Sequence, residues 1–169
     1  MAHEIERKFL VLSDRLPPLP QGRRLVQGYL SEHPQVRFRV IDGESVVITV
    51  KKTLEARHRL EFEFRRDDMN KAEIDDLSSL ALWPPLTKVR HRLIHEGLLW
   101  EVDVYEGENA GLITADVELP SPDYSIEFPQ WIDSEGEITG HKRYSNLGLT
   151  RQPLSRQPEN PENGRSDIH

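Results

Sequence analysis

The chain has no cysteine, which removes disulfides, thiolate nucleophiles and cysteine-ligated zinc together. No apolar run approaches the ~18 residues that a membrane span needs. The start, MAHEIERKFLV, is charged throughout and has no apolar stretch of the kind a secretory signal carries, so a cytoplasmic location and no membrane partner are expected. The phosphate-cradling motifs G-x-x-x-x-G-K-[ST] and G-x-G-x-x-G are both missing, which sets aside Walker and Rossmann sites. Excess positive charge is missing too. With 22 Lys+Arg against 29 Asp+Glu the net charge is −7, which argues against nucleic acid as a partner bound by bulk charge while leaving room for a local basic pocket.

What is present is 169 residues, the usual size of one domain. Only 36% are hydrophobic and 30% are charged, so either the surface is very charged or charge lies inside. Residues 152–169 carry Pro153, Pro158 and Pro161 among polar residues, with Leu154 and Ile168 their only large apolar ones. Such a segment cannot offset its ordering entropy by burial, so it is expected to be a disordered tail after a domain spanning residues 1–151.

Most of that domain alternates with period two, over 4–9, 36–40, 46–51, 61–64, 88–93, 100–105 and 115–119, which is strand periodicity. Asp42-Gly43 marks a hairpin and Asn109 to Gly111 another turn. Helical period is clear once, where Asn70 caps, Glu73 completes a capping-box pattern, Ile74, Leu77 and Ala81 share a face and Pro84-Pro85 stops the run. A weaker short helix is expected around residues 141–146. The elements indicate an α+β, mainly β, antiparallel sheet or barrel with few helices.

Alternation puts apolar side chains such as Phe9, Phe38, Phe62, Phe64, Val102 and Val117 on one face and charges on the other. One polar strand face in water would be ordinary. Here the second face is almost purely ionic and segregated by sign. Acidic doublets are Glu4/Glu6, Glu61/Glu63, Glu101/Asp103 and Asp116/Glu118; basic sets are Arg37/Arg39 and Lys88/Arg90/Arg92, with Lys8 and Lys51. If the sheet curls around this face, so many ions need counter-ions. Paired carboxylates without Cys or His are hard oxygen ligands for Mg²⁺ or Mn²⁺, and clustered Arg and Lys grip the oxygens of a multiply charged anion. A metal–polyphosphate satisfies both halves. His91 and His95 have zincin spacing, but Arg92 stands where the catalytic Glu belongs and both fall on the opposite parity from the charged residues, so they read as exposed strand histidines.

The opening Glu4-Ile5-Glu6-Arg7-Lys8 resembles the E-x-E-x-K signature of the CYTH superfamily, the triphosphate tunnel metalloenzymes. The resemblance continues in order through Gln27-Gly28-Tyr29-Leu30, Arg37-x-Arg39, Thr49-Val50-Lys51, Glu61-x-Glu63, Lys88-x-Arg90-x-Arg92, Glu101-x-Asp103, Asp116-x-Glu118 and residues 141–146. It implies an eight-stranded antiparallel β-barrel forming a tunnel, with helices packed outside, and Mg²⁺ or Mn²⁺ as cofactor. It also implies roles: Glu4, Glu6, Asp116 and Glu118 for metal, with Asp103 grouped among the metal carboxylates and Glu61 and Glu63 placing a second ion and the attacking water. Lys8, Arg37, Arg39, Lys51, Lys88, Arg90, Arg92, Lys142 and Arg143 would bind phosphate, and Lys8 with Tyr29, Glu61, Glu63 and Lys88 would serve catalysis. Asp116 is one methylene shorter than the glutamate often found there, so a water-mediated contact is the alternative to direct ligation. Tyr29 has the alternative of a packed aromatic, and Arg92 and Glu101 that of a cross-strand ion pair. The expected activity is metal-dependent hydrolysis of inorganic triphosphate to pyrophosphate and phosphate. The alternatives are an organic triphosphate (thiamine or nucleoside) as substrate, a class IV-type adenylyl cyclase, or a polyphosphate- or nucleotide-binding module. The small relatives suggest a homodimer.

Overall fold

The computed structural model describes residues 5–54 and 59–157. They form nine strands in one antiparallel sheet: β1 (Ile5–Val11), β2 (Arg23–Glu32), β3 (Gln35–Ile41), β4 (Ser45–Thr53), β5 (Arg59–Arg66), β6 (Leu86–His95), β7 (Leu98–Tyr105), β8 (Ile113–Leu119) and β9 (Ile132–Glu137). Helices α1 (Lys71–Ser79) and α2 (Asn146–Arg151) complete the regular structure, and no helix is long and apolar enough to cross a membrane. The strand order is β5-β4-β3-β2-β6-β7-β8-β1-β9, so β5 and β9 are edges and the described ladder does not join them. The mainly β antiparallel architecture is as expected; the count is nine rather than eight, and hydrogen bonding does not close the sheet. All seven alternating runs became strands. Strand β2 was hidden from a period-two reading because Leu25, Gln27, Gly28 and Tyr29 are all buried, and β9 because its sequence, IDSEGE, is nearly all polar.

Local signals explain the connections. Asp42 (φ 52°) and Gly43 (φ 69°) both take the left-handed conformation in the three-residue connection between β3 and β4, and Glu96 (φ 47°) and Gly97 (φ 75°) do so in the two-residue hairpin between β6 and β7. The expected capping box holds: Glu73 N donates to Asn70 Oδ1 at 2.9 Å and Asn70 N to Glu73 Oε2 at 3.1 Å. The helix lays Ile74 and Leu77 on Phe38, Val40 and Val46, which fixes it against the outer face of β3 and β4. The weaker helical signal at 141–146 resolves into a 3-10 turn, Lys142–Tyr144, and then α2, capped by Ser145 Oγ accepting from Gly148 N at 3.0 Å.

The outer apolar face is a true core over β1, β7 and β8, where Phe9, Trp100, Val102 and Val117 pack with Trp131. Phe62 and Phe64 depart from that expectation: they stand 55% and 62% exposed, because β5 is an edge strand. A second apolar cluster, Leu86, Tyr105, Leu112 and Leu149 with Leu10, Tyr144 and Leu154, blocks one end of the charged face. Leu154 belongs to the segment expected as tail. Its amide donates to Asn109 Oδ1 at 2.8 Å and Arg156 pairs with Glu108 at 2.7 Å, so residues 152–157 pack on the domain. The rest of the expected tail, 158–169, lies outside the described residues.

Gly28 sits opposite Phe38 in the β2–β3 ladder, and a Cβ there would lie 2.4 Å from that fully buried ring. Gly28→Ala is therefore expected to destabilise the protein by roughly 1–3 kcal/mol through overpacking, read as a lower urea midpoint at unchanged slope. An unshifted midpoint would contradict the packing.

Candidate active site

Register decides which charges meet. Along one wall, β1 and β8 place Glu6 opposite Glu118 and Lys8 opposite Asp116, while β7 places Glu101 opposite Asp116. Glu4, the first expected metal ligand, lies outside the described residues. Burial raises the Asp116 carboxyl, and Asp103 adds to that effect while Lys8, Arg90 and Lys88 oppose it. Burial and then Asp116 likewise raise Glu6. Asp116 Oδ1 is buried and has no hydrogen-bond partner among the described residues. Two like-charged carboxyls that repel each other, one with an idle oxygen, form a hard-oxygen donor set that fits Mg²⁺ or Mn²⁺. Among the described residues no group of three acidic or histidine side chains is assembled for a metal. Glu118 stands exposed beyond this pair.

Between the walls sits an internal ion cluster. Lys88 Nζ donates to Asp103 Oδ2 at 2.7 Å, and Arg90 approaches the same carboxylate through Nε at 2.8 Å and Nη2 at 3.0 Å. Lys88 and Asp103 are wholly buried. Burial alone would raise Asp103, but Lys88 and Arg90 outweigh it and hold the carboxyl well below the carboxylate range. Burial pushes the Lys88 ammonium down to about 8 against the pull of Asp103. In this structure Asp103 shares its oxygens between two cations, and Lys88 is wholly buried against it. Lys88 also donates to Asn146 Oδ1 (3.2 Å), which accepts from Tyr105 as well (3.2 Å), so α2 is tied to the cluster.

The other wall is cationic. Arg39 gives its Nε to the neutral Gln27 Oε1 (3.1 Å) rather than to a carboxylate, and Arg37 Nε is buried without a partner. Burial, then repulsion from Arg37 and Arg90, lowers the Arg39 guanidinium to about 10. Asp103 and Glu101 of β7 oppose that shift. Arg39 and Arg90 line a cavity of about 430 Å³ with Arg92, Arg23 and Arg65.

The remaining expected residues divide. Arg92 is largely exposed and pairs with Glu101 at 3.4 Å, the cross-strand alternative. Tyr29 is buried opposite Arg37, and Lys8, its expected companion, donates instead to the Tyr144 carbonyl at 3.3 Å. Burial raises the Tyr29 phenol while Arg37 and Arg39 oppose the shift. Lys51 pairs with Glu61 at 3.8 Å, and Glu61 and Glu63 lie exposed on the edge strand β5. Lys142 and Arg143 line a different cavity, of about 610 Å³, with Arg151 and Gln157. Arg23 and Arg65 were not among the expected residues. Arg65 continues the parity of Glu61 and Glu63 and was legible in principle; Arg23 lies in β2, whose period was masked by burial.

Antiparallel strands presenting an ionic face with both clustered carboxyls and clustered arginines define a protein suited to a highly charged anion together with a cation. Comparison with known proteins sharpens that class. No family model matches the chain. It is 37% identical over 155 residues, 90% of its length and 96% of the relative's, to an inorganic triphosphatase of Acetivibrio thermocellus. It is 32% identical over 161 residues, 86% and 95% of the two chains, to an inorganic triphosphatase of Nitrosomonas europaea. The crystal structure of the inorganic triphosphatase NE1496 superposes with a TM-score of 0.67 at 26% identity, covering 94% of this chain and 99% of that one. The chain belongs to the CYTH superfamily of triphosphate tunnel metalloenzymes.

The raised Asp116 carboxyl has a measurable sign. The folded state holds that proton to higher pH than the unfolded chain does, so between the two pKa values stability falls as pH rises. In chelator at neutral pH, Asp116→Asn is expected to unfold at a higher temperature than the parent, by about 2–4 °C per kcal/mol relieved. The difference should vanish below about pH 4, where both side chains are neutral. A variant less stable than the parent at neutral pH would contradict the repulsion.

Proposed function

We propose that the protein hydrolyses inorganic triphosphate to pyrophosphate and phosphate, with Mg²⁺ or Mn²⁺ as cofactor. The observation that carries this reading is the presence on one face of the Glu6 and Asp116 carboxyls, both raised by burial and Glu6 by Asp116 as well, together with the half-buried Arg37 and Arg39, which have no carboxylate ion pair among the described residues. The inorganic triphosphatases among the relatives, aligned over most of both chains, support the choice of substrate.

In this reading Arg39, Arg37 and Arg90 take the phosphate oxygens, Arg bidentately where geometry allows. Their charge is pre-organised, because Asp103 and Lys88 hold Arg90 in place and Gln27 holds Arg39. As the terminal P–O bond breaks, negative charge grows on the departing pyrophosphate, where these guanidiniums stabilise it most. Lys8 stands opposite Asp116, between the acidic wall and the closed end, and can follow the same charge. Glu6, Asp116 and Glu118, together with Glu4, would hold the divalent ion, whose chemistry is neutralisation of phosphate oxygens and a lower pKa for water. Glu61 and Glu63 would join only if β5 is drawn toward the acidic wall, closing the sheet into the tunnel of the family.

Phosphate release from tripolyphosphate, with ATP and thiamine triphosphate in parallel and each with Mg²⁺, Mn²⁺ or chelator, tests the reading. Release from tripolyphosphate that needs metal, and its loss in a folded Glu6→Gln variant, is expected. No release from a folded protein, or cyclic AMP and pyrophosphate from ATP as the main products, would overturn it.

A further inference from the structure

The cavity at the open end of the charged face carries more cations than the phosphate grip requires. Its lining includes five arginines, Arg23, Arg39, Arg65, Arg90 and Arg92, and neither a carboxylate nor an aromatic ring. Arg23 lies directly opposite Arg90 in the β2–β6 ladder. Arg90 already meets Asp103 at 2.8 Å and Glu101 at 3.5 Å, so Arg23 adds positive charge beside a guanidinium that is itself paired. Arg65 reaches the same cavity from β5, two strands beyond Arg39.

The native partners of these two residues leave most of their donors idle. Arg23 Nη1 stands 3.6 Å from Asp42 Oδ2, and Arg65 uses only Nε on Asp67, at 2.7 Å; all four side chains are largely exposed. Exposed pairs of this kind are worth little and yield readily to a stronger anion. The neighbouring loop is anchored, since His91 Nδ1 lies 2.6 Å from the carbonyl of Pro20, which also lines the cavity. The rim is thus built in place.

We propose that Arg23 and Arg65 are specificity-determining residues, forming an outer seat for the end of the substrate opposite the phosphate that is cleaved, an end that is unesterified in tripolyphosphate and esterified in a nucleotide. The inference rests on the triphosphatase reading and deepens it. A free terminal phosphate brings nearly two negative charges and three acceptor oxygens to the seat. The esterified phosphate of a nucleotide brings fewer of both and an organic group that meets guanidiniums without an aromatic surface to stack on. The two arginines thereby favour inorganic triphosphate over ATP through differential electrostatics, while Arg39 and Arg90 serve both.

The test compares the parent with Arg23→Ala/Arg65→Ala and with Arg23→Lys/Arg65→Lys. All three are titrated calorimetrically with inorganic tripolyphosphate and with ATP in chelator, and assayed for kcat/KM on both with Mg²⁺. Both residues are exposed, so the variants are expected to fold, and an unchanged melting temperature without ligand checks it. In the double alanine variant the dissociation constant and kcat/KM for tripolyphosphate should worsen about tenfold or more. Those for ATP should change less than about twofold, and the lysine variant should recover part of the loss. Equal losses on both ligands, a larger loss on ATP, or no loss on either would overturn the seat. A parent that binds tripolyphosphate without turning it over would overturn the triphosphatase reading instead, and the calorimetric ratio would still decide the seat.

Discussion

The Asp103 carboxylate is the point on which the interior of this protein depends. It lies at the middle of the charged face, wholly buried, and its two oxygens are shared between Lys88 and Arg90. Breaking such a cluster from one side leaves uncompensated buried charge, typically about 3–5 kcal/mol, which makes its geometry rigid. That rigidity is transmitted outward. Through Arg90 it sets one member of the cationic wall, and through Lys88 and Asn146 it ties α2 across the closed end. Leu149 of α2 packs there with Leu86 and Tyr105.

Outside this satisfied centre the charges are arranged quite differently. Arg37 Nε and Asp116 Oδ1 have no partners, Arg39 leans on a neutral amide, and Arg23 faces Arg90. The buried atoms Arg37 Nε and Asp116 Oδ1 are left without hydrogen bonds among the described residues, which costs folding energy. The pattern is what a site looks like when its missing counter-charges arrive with the ligand, and stability forgone there is commonly the companion of function.

Much of this was legible in the sequence because period-two alternation reads both strand and face. Seven strands, the capping box of α1 and the Asp42-Gly43 turn followed from residue pattern alone. Strand β2 did not, since a central strand buried on both faces at Leu25 to Tyr29 has no alternation to read. Leu154 was assigned to a tail because composition cannot show that one leucine closes a cluster. Parity also grouped Asp103 and Lys88 with the site, and correctly placed them on its face. It could not show that they neutralise each other, because depth within a curled sheet depends on which strands curl together. Arg23 and Arg65 were missed for the same reason: a rim exists only once β2, β3, β5 and β6 surround one space.

The central claim is that the carboxyls and arginines of this face are together complementary to a divalent cation and a triphosphate. Thermal unfolding with Mg²⁺ alone, tripolyphosphate alone and both in large excess tests it most directly. The combination should stabilise the protein well beyond the sum of the single additions, by about 2.7 kcal/mol at a concentration one hundred times the dissociation constant. An unfolding temperature that is unmoved by the pair, or that rises equally with either component alone, would contradict it.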